Sequence, residues 1–128
     1  MTKPIYYSAR QIPEVISETL MKTSFSWDGS PYMSYPKGRP EMSVLKITIP
    51  PHTRLEWHTH PIPCIGFVLS GRITVEKRLD GSRKTVCTGG VLPETVESVH
   101  RGFTDKEPTT LIVFYAGVEG LPLSEPLK

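Results

Sequence analysis

Two cysteines in 128 residues, Cys64 and Cys87, are too few for a disulfide framework, and the chain shows no export signal that would favour one. Both are expected to be free thiols. The opening stretch MTKPIYYSARQIPEVISE has no apolar run of signal-peptide length, and nowhere does an uninterrupted stretch approach the ~20 apolar residues that cross a bilayer. A soluble, cytoplasmic protein with no membrane partner is therefore expected. An excess of one charge is also lacking. Fifteen Lys and Arg stand against 13 Asp and Glu, and the basic residues are scattered rather than gathered into a stripe that could track phosphates, which argues against nucleic acid as a partner. There is no internal repeat and no low-complexity segment, and the length suits one domain over residues 1–128.

Proline, by contrast, is abundant. Its 13 copies are roughly twice average usage, and because proline removes a backbone donor and breaks helix interiors, they favour short strands joined by fixed turns. Residues 1–42 read as an arm and loop: Ser8 is placed to cap a brief helical turn from Pro13 to Glu18. After it, TLMKTSFSWDG has strand-like content ending at the turn signal Asp28-Gly29, and GSPYMSYPKGRPEM is too rich in glycine and proline for either regular element. From Ser43 the alternation of Val44, Lys46 and Thr48 against Leu45, Ile47 and Ile49 predicts a half-buried strand ended by Pro50-Pro51. LEWHTH, CIGFVLSG and RITVEKRL follow as strands. Asp80-Gly81 marks a hairpin into SRKTVCTG, with the charges of EKRLDGSRK as its solvated tip. TTLIVFYAG reads as a strand buried on both sides, and EGLPLSEPLK as an extended coil in the tail 117–128. The fold class is all-β, a double-sheet jelly roll or small barrel, with an empty sandwich as the alternative.

Side chains two apart on a strand leave the same face, so His58 and His60 can converge on one ion. A His-x-His pair alone is as well explained by two solvent-facing rings. The window PPHTRLEWHTHPIPCIGFVLSG sets Gly71 after the following strand, and GGVLPETVESVHRG supplies a third histidine, His100.

These two windows resemble the motifs of the cupin family. Its first motif is a glycine, five residues, His-x-His, three or four residues, a glutamate, six residues and a glycine; His58, His60 and Gly71 match it. Its second runs from a glycine through a proline and a glycine to a histidine, matched by Gly89 and His100. The resemblance covers about residues 43–116, and the phrases YPKGRPE, WHTHP and VFYAG are similar to those of a group of small single-domain cupins. It implies a double-stranded β-helix, a jelly-roll barrel holding one divalent transition metal through His58, His60 and His100, and a homodimer. Four positions depart from the pattern: His52 replaces the first glycine, Thr95 the proline, Glu97 the internal glycine and Cys64 the glutamate. The site is then either three-histidine or takes sulfur from Cys64, although a small buried hydrophobe is the commoner fate of an unpaired cysteine.

Neutral imidazoles suit Fe, Ni, Zn or Cu, and three protein ligands leave positions open for a small polar ligand or substrate. Glu94, on the strand leading to His100, is a candidate general base, partner behind a histidine or additional ligand, with an exposed glutamate as the alternative. Trp57 and Tyr35 are candidate pocket walls, equally explained by ordinary packing. By resemblance to cysteine dioxygenase, another three-histidine cupin, Tyr115 stands as the partner of Cys64 in a thioether link. Arg101, one residue past His100, tends to the opposite face and is read as structural. Two functions remain: a metal-dependent enzyme, an oxygenase in particular, acting on a small polar molecule, or a non-catalytic metal- or ligand-sensing module.

Overall fold

The computed structural model describes residues 13–127. Nine strands and no helix follow one another in these residues: β1 Pro40–Ile49, β2 His58–Thr59, β3 Cys64–Ser70, β4 Arg72–Lys77, β5 Arg83–Cys87, β6 Val91–Pro93, β7 His100–Phe103, β8 Thr109–Val118 and β9 Glu125–Pro126. They form two antiparallel sheets, ordered β1-β8-β3-β6 and β5-β4-β7-β2-β9. Ile49, Val68, Leu92, Ile73, Val75 and Val86, drawn from both sheets, make one buried cluster, and Ile62, Cys64, Val113 and Tyr115 make a second. Ile47 and Leu111 pack against both. No helix among the described residues is long and apolar enough to cross a membrane.

The alternation expected in β1 is present: Leu45, Ile47 and Ile49 turn inward while Val44, Lys46 and Thr48 are exposed. The strand starts at Pro40, three residues before the expected Ser43, because β1 is an edge strand bonded only to β8 and a missing donor costs little there. The hairpin at Asp80-Gly81 joins β4 to β5, with Gly81 at φ +72°. At Gly71, between β3 and β4, φ is +93° and a Cβ would collide with the Pro108 carbonyl and Thr109, so the motif glycine is required for both reasons.

Several expectations need correction. The helical turn at Pro13–Glu18 is absent, and Ser8 lies outside the described residues; Val15 and Ile16 are exposed, so no apolar face is buried to hold a single turn. Residues 19–29 contain no strand beyond one bridge, Phe25 to Pro31. Around it, the Ser26–Ser30 turn is tied by Asp28, which accepts from both serine hydroxyls and the Ser30 amide. LEWHTH contributes only His58 and Thr59 as strand, and β8 is buried on one face rather than both, with Phe114 turned outward and partly exposed. The tail is no free coil: β9 adds to β2, pairing Pro126 with His58 and Glu125 with Thr59.

The hairpin is not simply a solvated tip either. Glu76 is buried, its two oxygens taken by Arg101 Nε at 2.8 Å and Arg83 Nε at 3.0 Å, and Lys77 reaches Asp28 at 2.7 Å.

Candidate metal centre

The three histidines meet. His58 and His100 are directly opposite in the β2–β7 pair, so their side chains share a face. His60 follows His58 by two, and the ring centroids lie 4.4–5.0 Å apart. One ring nitrogen from each of the three falls within 4.8 Å of the others. His60 is 4 % and His100 1 % exposed.

What orients the rings is the backbone. His58 Nδ1 lies 2.8 Å from the Glu56 carbonyl, His60 Nδ1 3.0 Å from the Leu123 carbonyl and His100 Nδ1 2.8 Å from the Ser98 carbonyl, with Thr95 Oγ1 at 3.2 Å. A carbonyl only accepts, so each Nδ1 carries the proton in the neutral ring and each Nε2 keeps its lone pair. Such an outer bond to a ligating histidine fixes its tautomer and raises its basicity. Leu123 belongs to the tail, held beside β2 by β9 and by the Leu127 amide on the Trp57 carbonyl. Sequence reasoning took this tail as coil and so missed its part in the centre.

Glu94 faces two of the three rings. It follows β6, and its side chain, 15 % exposed, puts Oε2 3.7 Å from His60 Nε2 and Oε1 3.5 Å from His100 Nε2. Both distances are too long for good hydrogen bonds. They suit two ligands of one ion: donors each ~2.1 Å from a tetrahedral metal stand about 3.4 Å apart. Among the described residues, four buried side-chain polar atoms have no hydrogen-bond partner, and three of them are His60 Nε2, His100 Nε2 and Glu94 Oε1. Buried polar atoms are rarely left so, and their convergence on one point is what a cation site requires. The donor set therefore fits a divalent metal.

The carboxylate and the rings also shift one another's titration, and in the ring facing Glu94 most closely a metal would compete with a proton for Nε2. Burial raises the Glu94 carboxyl pKa, but the facing His100 and His60 outweigh it and hold the group below the ordinary carboxylate range. Burial lowers His100, and Glu94 more than restores it. His58, with burial dominant and the other two rings adding to it, is pushed down and stays neutral more readily.

Cys64 is fully buried, and its sulfur falls within reach of His60 and Glu94 but is not grouped with His58 and His100. Burial, and then the Glu94 charge, push its thiol up, which favours the protonated form. It is free, as is the exposed Cys87. Thus Cys64 occupies the motif's glutamate position while a carboxylate arrives from β6, and the Glu94 amide donates to the Cys64 carbonyl at 3.0 Å. Tyr115 is directly opposite Cys64 across β3 and β8, with its ring 6.1 Å from that of His60. Trp57 and Tyr35 do not line the histidine cluster. The Trp57 ring stacks under Arg101, 4.0 Å from its guanidinium, on the other side of the sheet from the histidines. Tyr35 is 82 % exposed at the rim of a separate cavity of about 400 Å³, lined also by Met21, Tyr32, Met33, Ile65 and Phe114.

No protein-family model matches this sequence, and no curated protein is similar enough to count as a match. Solved structures do match in fold. The DMSP lyase DddQ from Ruegeria pomeroyi aligns at TM-score 0.59 and 17 % identity over 77 % of this chain and 46 % of its own. A cupin-like protein from Thermotoga maritima aligns at 0.57 and 21 % over 67 % and 64 %, and a cupin 2 conserved barrel domain protein from Salinispora arenicola at 0.54 and 19 % over 66 % and 71 %. The chain spans less than half the length of the lyase it matches.

Proposed function

We infer from this cupin fold that the protein binds one divalent transition metal through His58, His60, His100 and Glu94, and acts through it on a small polar molecule. The supporting observation is the set of three Nε2 atoms, each left bare by a carbonyl on its Nδ1, with those of His60 and His100 facing a buried carboxylate that has an unpartnered oxygen. Fe, Ni, Zn and Cu suit the imidazoles. The Glu94 carboxylate adds Mn to these, since carboxylates suit that ion. Titration calorimetry and elemental analysis test this reading: wild type is expected to take one equivalent, and His100→Ala to take none at the same metal concentration. A wild-type chain that stays empty with every common divalent ion would end it.

A bound metal would supply Lewis-acid or redox chemistry, and Glu94, ionised and among its ligands, would add negative charge beside it. An oxygenase is the first form of this reading, because a metal that takes five or six ligands would keep positions open beside these four. Oxygen uptake over thiols, diketones and phenolics, with His100→Ala as control, tests it, and the absence of metal-dependent turnover on all of them would reject it. Burial of His60 and His100 favours the second form, a sensing module whose metal occupancy changes a partner surface. Pull-downs that differ between loaded and metal-free protein would support that form, and identical ones would remove it.

Cys64 opposite Tyr115 suits a thioether between sulfur and ring carbon, formed with loss of two hydrogens to dioxygen. Intact mass of aerobically loaded protein should then fall by two hydrogens relative to Cys64→Ser corrected for the substitution; an unchanged mass rejects the link. A homodimer is the proposed assembly, because β1 presents a ten-residue edge with no second strand beside it among the described residues and carries exposed Met42 and Val44. Light scattering giving the mass of one chain would refute it.

A further inference from the structure

Glu94 is not aimed by its own strand alone. β6 is three residues long and lies at the edge of its sheet, so nothing on its open side belongs to a strand. The Ser24–Tyr32 segment occupies that side. The Trp27 amide donates to the Pro93 carbonyl at 2.9 Å, and the Tyr32 hydroxyl donates to the Glu94 carbonyl at 2.6 Å. On the same segment, Asp28 meets Lys77, whose register partner on β7 is His100, and the Trp27 ring packs on the core cluster. The amide of Glu94 is fixed from the other side by the Cys64 carbonyl. Both peptide groups flanking the Glu94 side chain are therefore pinned, one by β3 and one by a residue 62 positions away in the arm.

We propose that Tyr32 is a positioning residue of the metal centre: its hydroxyl, by holding the Glu94 carbonyl, aims the Glu94 carboxylate, so that docking of the Ser24–Tyr32 segment and metal affinity are one coupled equilibrium. The proposal rests on the metal-binding reading above. Burial raises the Tyr32 pKa, with Cys64 and Glu94 adding to it, so the phenol remains a donor throughout the ordinary pH range. Partners hydrogen-bonded to metal-ligating side chains typically change affinity 10–100-fold when removed, and Tyr32, bonded to the main chain of Glu94, is set at the foot of that range. Coupling is reciprocal, so whatever factor the docked arm contributes to metal binding, the metal must return to arm docking.

The test is a double-mutant cycle on the full chain with zinc and with cobalt(II), read by calorimetry and by the cobalt ligand-field spectrum. Tyr32→Phe, which removes one oxygen, should weaken metal binding about tenfold. In a Glu94→Ala background the same change should cost less than twofold. Equal losses in both backgrounds, or unchanged affinity accompanied only by a lower melting temperature, would overturn the proposal. Amide exchange on the wild type supplies a second readout that needs no Tyr32 variant to fold. Metal should slow exchange at Trp27 and Tyr32 about tenfold in wild type and leave it unaltered in Glu94→Ala, and equal slowing in both would count against the coupling. A wild-type chain that binds no metal would remove the site reading, and this one with it. A wild type that binds metal, with Tyr32→Phe binding equally well, would overturn the positioning role alone.

Discussion

Glu76 and Glu94 are both carboxylates taken out of water, and the two faces of the β4–β7 region treat them differently. Glu76 has a donor on each oxygen at hydrogen-bonding distance, Arg101 on one and Arg83 on the other. Those arginines in turn stack on Trp57 and Phe103. Glu94 has two nitrogens at 3.5 and 3.7 Å and an oxygen with no partner. Positions 100 and 101 of β7 divide the two environments between them, one side chain turned in and the next turned out. A finished ion-pair cluster closes its own contacts. The looser spacing at Glu94 is shared among three side chains that face one point, which is why it reads as a cation site.

The largest effect expected from this contrast is on stability. Glu76→Ala would leave Arg101, mostly buried, and Arg83, more than half exposed, without their acceptor. It should cost about 3 kcal/mol, or roughly 10 °C in melting temperature, with metal affinity altered less than twofold. Glu94→Ala should do the reverse: metal-free stability within about 1 kcal/mol of wild type, because an unsatisfied oxygen is lost, and metal affinity down about a hundredfold. If thermal melts and metal titrations show the two variants behaving alike, the distinction fails.

Acid sharpens the same contrast. Burial pushes the Glu76 carboxyl up, but the Arg101 and Arg83 bonds outweigh it and hold it below the ordinary 4.5. A depressed folded value means the contribution is fully present above about pH 4.5 and is lost as pH falls toward the folded value. Glu76→Gln should therefore be less stable than wild type at pH 6, and the difference should shrink between pH 5 and pH 3. Melting curves in metal-free buffer that keep a constant gap over that window would contradict the linkage.

The histidine trio was legible because two of its members obey the period of a strand and the third follows a recognisable glycine-bounded window; the β2–β7 pairing then brings them together. Glu94 was visible as a candidate, though its role depended on where β6 ended. Glu76 and Lys77 were misread as a solvated tip because their partners, Arg101 and Asp28, are remote in sequence and only the sheet register and the arm bring them near. Likewise β9 and the Ser26–Ser30 turn have no periodic pattern of their own. Two-residue pairings and single bridges exist because neighbouring chain is already in place, and no local signal announces them. The motif departures were legible and their backbone consequence was not: His52 and Glu97, which replace motif glycines, are the non-glycine residues with positive φ among the described residues, at 51° and 62°.

That last observation gives the smallest prediction and a control on the rest. Glu97 lies between Glu94 and His100, and its amide donates to the His60 carbonyl at 2.8 Å. Strain at this left-handed residue is thus a competing cause for the long contacts around Glu94. A non-glycine side chain in that conformation costs roughly 1–2 kcal/mol, and glycine gives back ~0.5–1 kcal/mol through the freedom of the unfolded chain, so Glu97→Gly should stabilise by about 0.5 kcal/mol. His52→Gly, whose turn lies away from the histidines and is closed by its amide on the Asp105 carbonyl, should gain a similar amount. Both gains should appear as a rise of about 2 °C in melting temperature, with zinc affinity unchanged within twofold. If Glu97→Gly alone shifted metal affinity tenfold, the spacing at Glu94 would be a product of backbone strain rather than of a place kept for an ion.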